Sequence, residues 1–222
     1  MVDEKIIKEI REDIKRYSKY PEKVRIVAAT KYTDCNGIRE VLAAGIRDIG
    51  ENRVQAMIEK QEELQEEREI RWNFIGHLQK NKVKYIIDSV YLIHSVDSLE
   101  LAAEIDKRAA KAGRVVNILI EMNVSGEESK HGYSITSLMS EIEEYLKFKN
   151  IKVCGLMGMA PNTENKEIIR DVFRKIRETM DILNRDIFQN ELTELSMGMS
   201  NDYKIALEEG ATLIRIGSKI FK

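Results

Sequence analysis

The chain has 222 residues, of which 33% are charged, yet its formal net charge is only −2. That balance excludes a protein that neutralises nucleic-acid phosphates with a basic surplus. The sequence has no apolar run long enough to span a bilayer, only two prolines and no low-complexity linker, so one soluble domain over residues 1–222 is expected.

The N-terminal segment MVDEKIIKEIREDIKRY is charged and helical in spacing, not a signal peptide. Cys35 and Cys154 lie far apart, outside any CxxC or metal spacing. They read as free thiols of a reducing cytoplasm, which sets the expected localisation.

Beyond that first helix two textures alternate. Short apolar runs occur at 24–30, 47–51, 71–75, 90–94, 115–122, 153–159, 194–198 and 212–216. Helical stretches separate them. GIREVLAAG stops at Gly45, DSLELAAEIDKRAAKAG opens acidic and ends in lysine and glycine, and SITSLMSEIEEYLKF and EIIRDVFRKIRETMDILNRDI show three-four apolar spacing. DYKIALEEG closes the series, and the run EKQEELQEERE reads as a solvated helix face with its loop. Eight strand–helix alternations predict a parallel sheet closed into a (β/α)₈ TIM barrel with an extra N-terminal helix. A doubly wound open sheet is the alternative.

Barrel chemistry gathers past the strand ends. Those positions are Lys31; Glu51 and Asn52; Gly76 and His77; His94 and Ser95; Asn123; Gly158 and Met159; Met199 and Ser200; then Arg215, Gly217 and Ser218. Ser200 reads as the N-cap of a helix, whose free N–H groups suit an anion. Gly217 and Ser218 follow the eighth strand, where such barrels often hold a phosphate. Lys31 is either a snorkelling surface lysine or an amine whose partial burial makes it a nucleophile. Arg215 and Gly217 share one strand face, so an arginine points into the barrel. It is either half of a buried ion pair, with Glu51 as one candidate, or the partner of a ligand ring or anion. Glu51-Asn52 bonds ligand substituents or caps the next helix. His77, His94 and His131 lack metal spacing, and no metal is implied.

From about residue 24 to 221 the segments AATK, GENRVQ, FIGHLQKNK, HSVDS, NVSGEESKHG, GLMGMAP, LSMGMSNDYKIAL and RIGSKIF occur in one order. Together they resemble the pyridoxal phosphate homeostasis protein family, a single-domain relative of the alanine racemase N-terminal barrel. The resemblance implies the type III pyridoxal phosphate fold, with Lys31 carrying the cofactor pyridoxal 5'-phosphate as a Schiff base. Arg215 would face the pyridine nitrogen, Ser200, Gly217 and Ser218 would hold the phosphate, and Asn52 would lie near the ring. It further implies a protein that buffers the cofactor, with apo-enzymes as partners and without established catalytic turnover; a monomer is expected because the second, β-rich domain of related racemases, which supplies dimer contacts, is absent from the sequence. A pyridoxal phosphate-dependent amino-acid racemase is the alternative. Asn73 stands where many members have histidine, a change expected to affect packing alone. Lys219 stands where alanine is more usual.

Overall fold

The computed structural model describes residues 2–124 and 131–221. Its eight strands are β1 (Arg25–Ala29), β2 (Asp48–Glu51), β3 (Arg71–Phe74), β4 (Leu92–Val96), β5 (Val116–Met122), β6 (Ile151–Gly158), β7 (Glu194–Met199) and β8 (Leu213–Ile216). They form a closed barrel in sequence order, with β1 paired in parallel to both β2 and β8. The open sheet is thereby ruled out. The fourth strand extends to Val96 rather than ending at His94, so Asp97 is the first residue past it.

The helices are α1 (Glu4–Tyr17), α2 (Cys35–Ala43), α3 (Val54–Glu63), α4 (Leu99–Lys111), α5 (Ile135–Tyr145), α6 (Lys166–Leu183) and α7 (Tyr203–Glu208). Side chains at Asp3, Asp34, Ser98, Ser134 and Asn165 accept the first backbone N–H groups of α1, α2, α4, α5 and α6. Between β3 and β4 the connection is a short 3-10 segment, Lys80–Tyr85, in place of an α-helix. Both cysteines are free, as expected.

Strand alternation sorts the apolar residues into two cores. The outward residues, among them Ile26, Ala28, Ile49, Phe74 and Ile93, pack under the helices. The inward set is small: Val27, Leu92, Leu119, Met157 and Leu213 form a separate cluster inside the barrel. Much of the remaining interior is polar. At the amino-terminal end of the barrel, Arg25 pairs with Glu194 at 2.8 Å and with Asp48 at 3.6 Å, and Arg71 also pairs with Asp48. This ring of charges from β1, β2, β3 and β7 closes the barrel floor.

No helix follows β8 among the described residues. Helix α1 stands in that place. It buries Ile7, Ile10 and Ile14, and its Arg11 Nη2 donates to the Ala44 carbonyl beyond α2 at 2.5 Å. On the other side its Asp13 accepts from the Tyr203 hydroxyl of α7 at 2.5 Å and pairs with Lys204 at 3.0 Å. Asp3 N also donates to Ile220 O at 3.0 Å.

Replacing Asp13 with alanine leaves the buried Tyr203 hydroxyl without this acceptor. The expected loss is about 2 kcal/mol of stability, read as a lower urea midpoint at an unchanged slope.

Candidate functional site

Lys31 owes its position to Thr30. The Thr30 N–H donates to Gly50 O at 3.0 Å. Its hydroxyl donates to Glu51 Oε1, and its carbonyl accepts from Lys60 Nζ at 2.7 Å. Lys60 of α3 also meets Glu51 Oε1 at 2.6 Å. The end of β1 is thus fixed on three sides, and Lys31 is the next residue. Its side chain is exposed, as the surface-lysine reading expected and the partly buried one did not. The amine lies 4.7 Å from the centre of the Tyr32 ring, and among the described residues it makes no hydrogen bond or ion pair.

Glu51 neither pairs with Arg215 nor caps α3. It follows the inward-facing Gly50, so alternation turns it outward, toward Thr30 and Lys60. It is fully buried, and its Oε2 has no hydrogen-bond partner among the described residues. Asn52 follows, half-buried. A Cβ on Gly76 would fall 2.2 Å from the Asn52 carbonyl oxygen, so the loops after β2 and β3 touch only because residue 76 is glycine. A cleft of about 430 Å³ opens beside them, lined in part by Asn52, Gln55, His77, Gln79 and Tyr85. A larger cleft of about 550 Å³ lies against the outer face of α6 and includes none of the expected site residues.

Arg215 lies inside the barrel, 5% exposed. Its Nη1 donates to Ser196 O at 2.7 Å and to Ser196 Oγ at 2.6 Å, and its Nη2 donates to Gly158 O at 3.0 Å. All three acceptors are neutral. Burial pulls its pKa down to about 10, against the upward pull of Asp202 and Glu121, the nearest carboxylates in effect. Neither is in hydrogen-bond contact with it. Glu121 faces the same interior from β5. Burial, then the charge of Asp97, push its carboxyl up to about 7.

Below Arg215 a single chain of hydrogen bonds crosses the barrel. Ser196 Oγ lies 2.9 Å from His94 Nδ1, His94 Nε2 lies 3.1 Å from Asn73 Oδ1, and Asn73 Nδ2 donates to Asp48 Oδ1 at 3.3 Å. The direction of each bond follows from its ends. The Asn73 amide also donates to Arg71 O at 2.8 Å, so its oxygen is left to accept from His94 Nε2–H. His94 Nδ1 must then accept, and the Ser196 hydroxyl, which receives the Arg215 N–H, supplies the proton. Burial first, then Arg215 and Arg25, hold the His94 pKa well below 6.5. The ring is neutral in one tautomer. His94 is hydrogen-bonded at both nitrogens and lies in mid-strand rather than past the strand end. Asn73 does more than pack: it links His94 to the floor.

Ser200 is buried in the turn after β7 but does not cap α7. The residue preceding that helix is Asp202, whose carboxylate turns back to accept from Met199 N at 2.5 Å. Gly217 closes against β1: a Cβ there would meet Ala29 O at 2.9 Å. Its carbonyl accepts from Ile220 N at 2.9 Å, and Ser218 is exposed in the turn so formed. Lys31, Ser200, Arg215, Gly217 and Ser218 therefore all lie at the carboxyl end of three neighbouring strands, β7, β8 and β1. Asn52 lies one strand further.

Spacing did not foresee one grouping. His77, Asp97 and His131, from the loops after β3, β4 and β5, converge. Residues 125–130 of the NVSGEESKHG segment lie outside the described residues.

The family model described as alanine racemase, N-terminal domain, matches residues 7–222. The barrel is of that class. A pyridoxal phosphate homeostasis protein of Aquifex aeolicus (strain VF5) is 43% identical over 217 residues, covering 98% of this chain and 94% of the relative. Another, from Synechocystis sp. (strain ATCC 27184 / PCC 6803 / Kazusa), is 35% identical over 201 residues, covering 90% and 92%. The solved structure of PipY from Synechococcus elongatus PCC7942 with PLP bound is 34% identical with a TM-score of 0.86, covering 96% of this chain and 100% of that one. The chain belongs to the pyridoxal phosphate homeostasis protein family.

The neutral His94 gives a pH signature. Below about 6.5 the unfolded chain takes up a proton at this histidine that the folded chain refuses, so the histidine's contribution falls as the pH falls. Glu121, with its raised pKa, acts with the opposite sign over part of that range, so the comparison needed is with a His94→Gln variant. The stability of the wild type relative to His94→Gln should shrink between pH 7 and 5, by up to about 1.4 kcal/mol per pH unit. Chemical denaturation at a series of pH values measures this.

Proposed function

We propose that this protein binds pyridoxal phosphate, holds it through a Schiff base on Lys31 and buffers the cofactor in the cell rather than turning over a substrate. The observation that carries the reading is the Arg215 guanidinium, buried at the barrel mouth among neutral oxygens only. A cation so placed suits a ligand that brings an acceptor atom to it.

The other residues fit the same ligand. Lys31 offers an amine free of hydrogen bonds at the neighbouring strand end. Ser200, Gly217 and Ser218 lie past β7 and β8, where they would hold a phosphate, and Asn52 would lie beside the ring. When bound, pyridoxal phosphate supplies an aldehyde for imine formation and a pyridine ring that acts as an electron sink. Arg215 bears on the second property. As a fixed cation it disfavours protonation of an adjacent ring nitrogen, which leaves the ring a weaker sink than a carboxylate neighbour would. The Ser196–His94–Asn73–Asp48 chain prevents the guanidinium from turning away. This arrangement favours retention of the cofactor over carbanion chemistry. Delivery to apo-enzymes is the partner relation that such a role implies.

The test is the visible absorption spectrum of the purified protein with pyridoxal phosphate, before and after borohydride, beside Lys31→Ala. The expected result is a Schiff-base band that reduction bleaches and the variant lacks. A colourless wild type would overturn the cofactor assignment. Sustained racemisation of an amino acid, absent from a heat-killed control, would overturn the buffering role while leaving the cofactor in place.

A further inference from the structure

His77, Asp97 and His131 occupy three successive loops at the barrel mouth, after β3, β4 and β5. Their ligand atoms all lie within 4.8 Å of one another. Both histidines turn the same nitrogen to the same oxygen: His77 Nδ1 lies 3.4 Å from Asp97 Oδ2, and His131 Nδ1 lies 3.6 Å from it. The two imidazoles are stacked, with centroids 3.9 Å apart and planes 14° from parallel.

These separations do not fit an ordinary histidine–carboxylate contact. A charge-assisted N–H···O bond closes to about 2.7–2.9 Å, and a neutral one rarely exceeds about 3.2 Å. Two protonated rings would also repel across the stack. The separations do fit co-ligands of one small cation. With metal–nitrogen and metal–oxygen bonds near 2.1 Å, the edge of a tetrahedron is about 3.4 Å.

Each loop is held in place by contacts near its ligand. The Ser95 hydroxyl donates to Gly76 O, the residue before His77. Ser98 Oγ lies 3.3 Å from Asp97 Oδ1, the oxygen that the histidines leave alone. Gly132, with φ +110°, lies so close to β5 that a Cβ would meet Glu121 O and Asn123 N at 3.0 Å. Tyr133 N then donates to Glu121 O at 2.8 Å, which tethers the residues following His131. The side chains of His77 and His131 are 44% and 59% exposed and Asp97 only 13%. The carboxylate is therefore fixed, while the rings are free to splay and aim their lone pairs at a shared ion.

We propose that His77, Asp97 and His131 form a site for a divalent transition-metal ion of zinc type at the mouth of the barrel. Two imidazoles and a carboxylate are a donor set that zinc accepts, and three protein ligands leave a fourth position for water or for an oxygen of a bound small anion. The site shares no residue with the Lys31 and Arg215 group, and its test does not depend on the cofactor reading.

The experiment uses the untagged full-length chain, stripped with chelator, titrated with Zn²⁺ by calorimetry and with Co²⁺ by visible absorption. One equivalent of Zn²⁺ per chain is expected, with Co²⁺ giving the intense bands of a low-coordinate site. His77→Ala, His131→Ala and Asp97→Asn should each weaken binding at least about tenfold, whereas Lys31→Ala should bind as the wild type does. The two histidines are exposed, so melting curves of their variants should match the wild type. Absence of saturable binding by the wild type overturns the proposal, as does binding that survives the paired His77→Ala, His131→Ala change.

Discussion

A guanidinium buried in a barrel sets the terms for the rest of this interior. Arg215 is almost wholly buried there, and none of its hydrogen bonds goes to a carboxylate. Its hydrogen bonds go to Ser196 and to the Gly158 carbonyl. That choice obliges Ser196 to donate its hydroxyl hydrogen bond to His94, His94 to be neutral, and Asn73 to present its oxygen to His94 and its amide to the floor. The chain ends on Asp48, which Arg25 and Arg71 hold in the floor. Each member has one orientation because its neighbour has one. The apolar interior is correspondingly small, confined mainly to Val27, Leu92, Leu119, Met157 and Leu213.

The mouth is organised differently. Its loops are set by close backbone approach and by buried polar pins. Glu51 and Lys60 fix Thr30, and thereby the start of the turn that carries Lys31. Gly76 lets the β3 loop lie on Asn52, and Gly217 lets the end of β8 lie on Ala29. The glycine at 217, read from sequence as part of a phosphate site, makes room for a neighbouring strand. The exposed side chain of Lys31 is thus mounted on a backbone pinned by buried contacts.

The barrel itself was legible in the sequence because each strand is a short apolar run and the helices between them keep three-four spacing. Where polar residues enter a strand, the reading failed. His94 and Ser95 were placed at the end of the fourth strand, yet they are buried mid-strand residues of β4, so Asp97 went unnoticed as the edge residue. Ser200 looked like a cap because serine so often is one, but Asp202 lies nearer the helix and turns back on Met199 instead. The third crossover is a 3-10 segment, a distinction that the pattern HLQKNKVKY does not encode. The hydrogen-bonded chain and the His77–Asp97–His131 group were invisible for a common reason: each joins residues from several strands or loops, and local spacing carries no information about such meetings.

Helix α1 occupies the gap that a helix after β8 would fill, and its partners Tyr203, Lys204 and Ile220 lie near the opposite end of the chain. The contact between Asp13 and Tyr203 spans 190 residues of sequence. The helix that carries Ile7, Ile10 and Ile14 thus joins a near partner, Ala44, to far ones. Contacts of such long range slow folding and lengthen the exposure of apolar surface. Closure of the barrel is consequently a chain-wide event that joins α1 to α7 and the turn after β8.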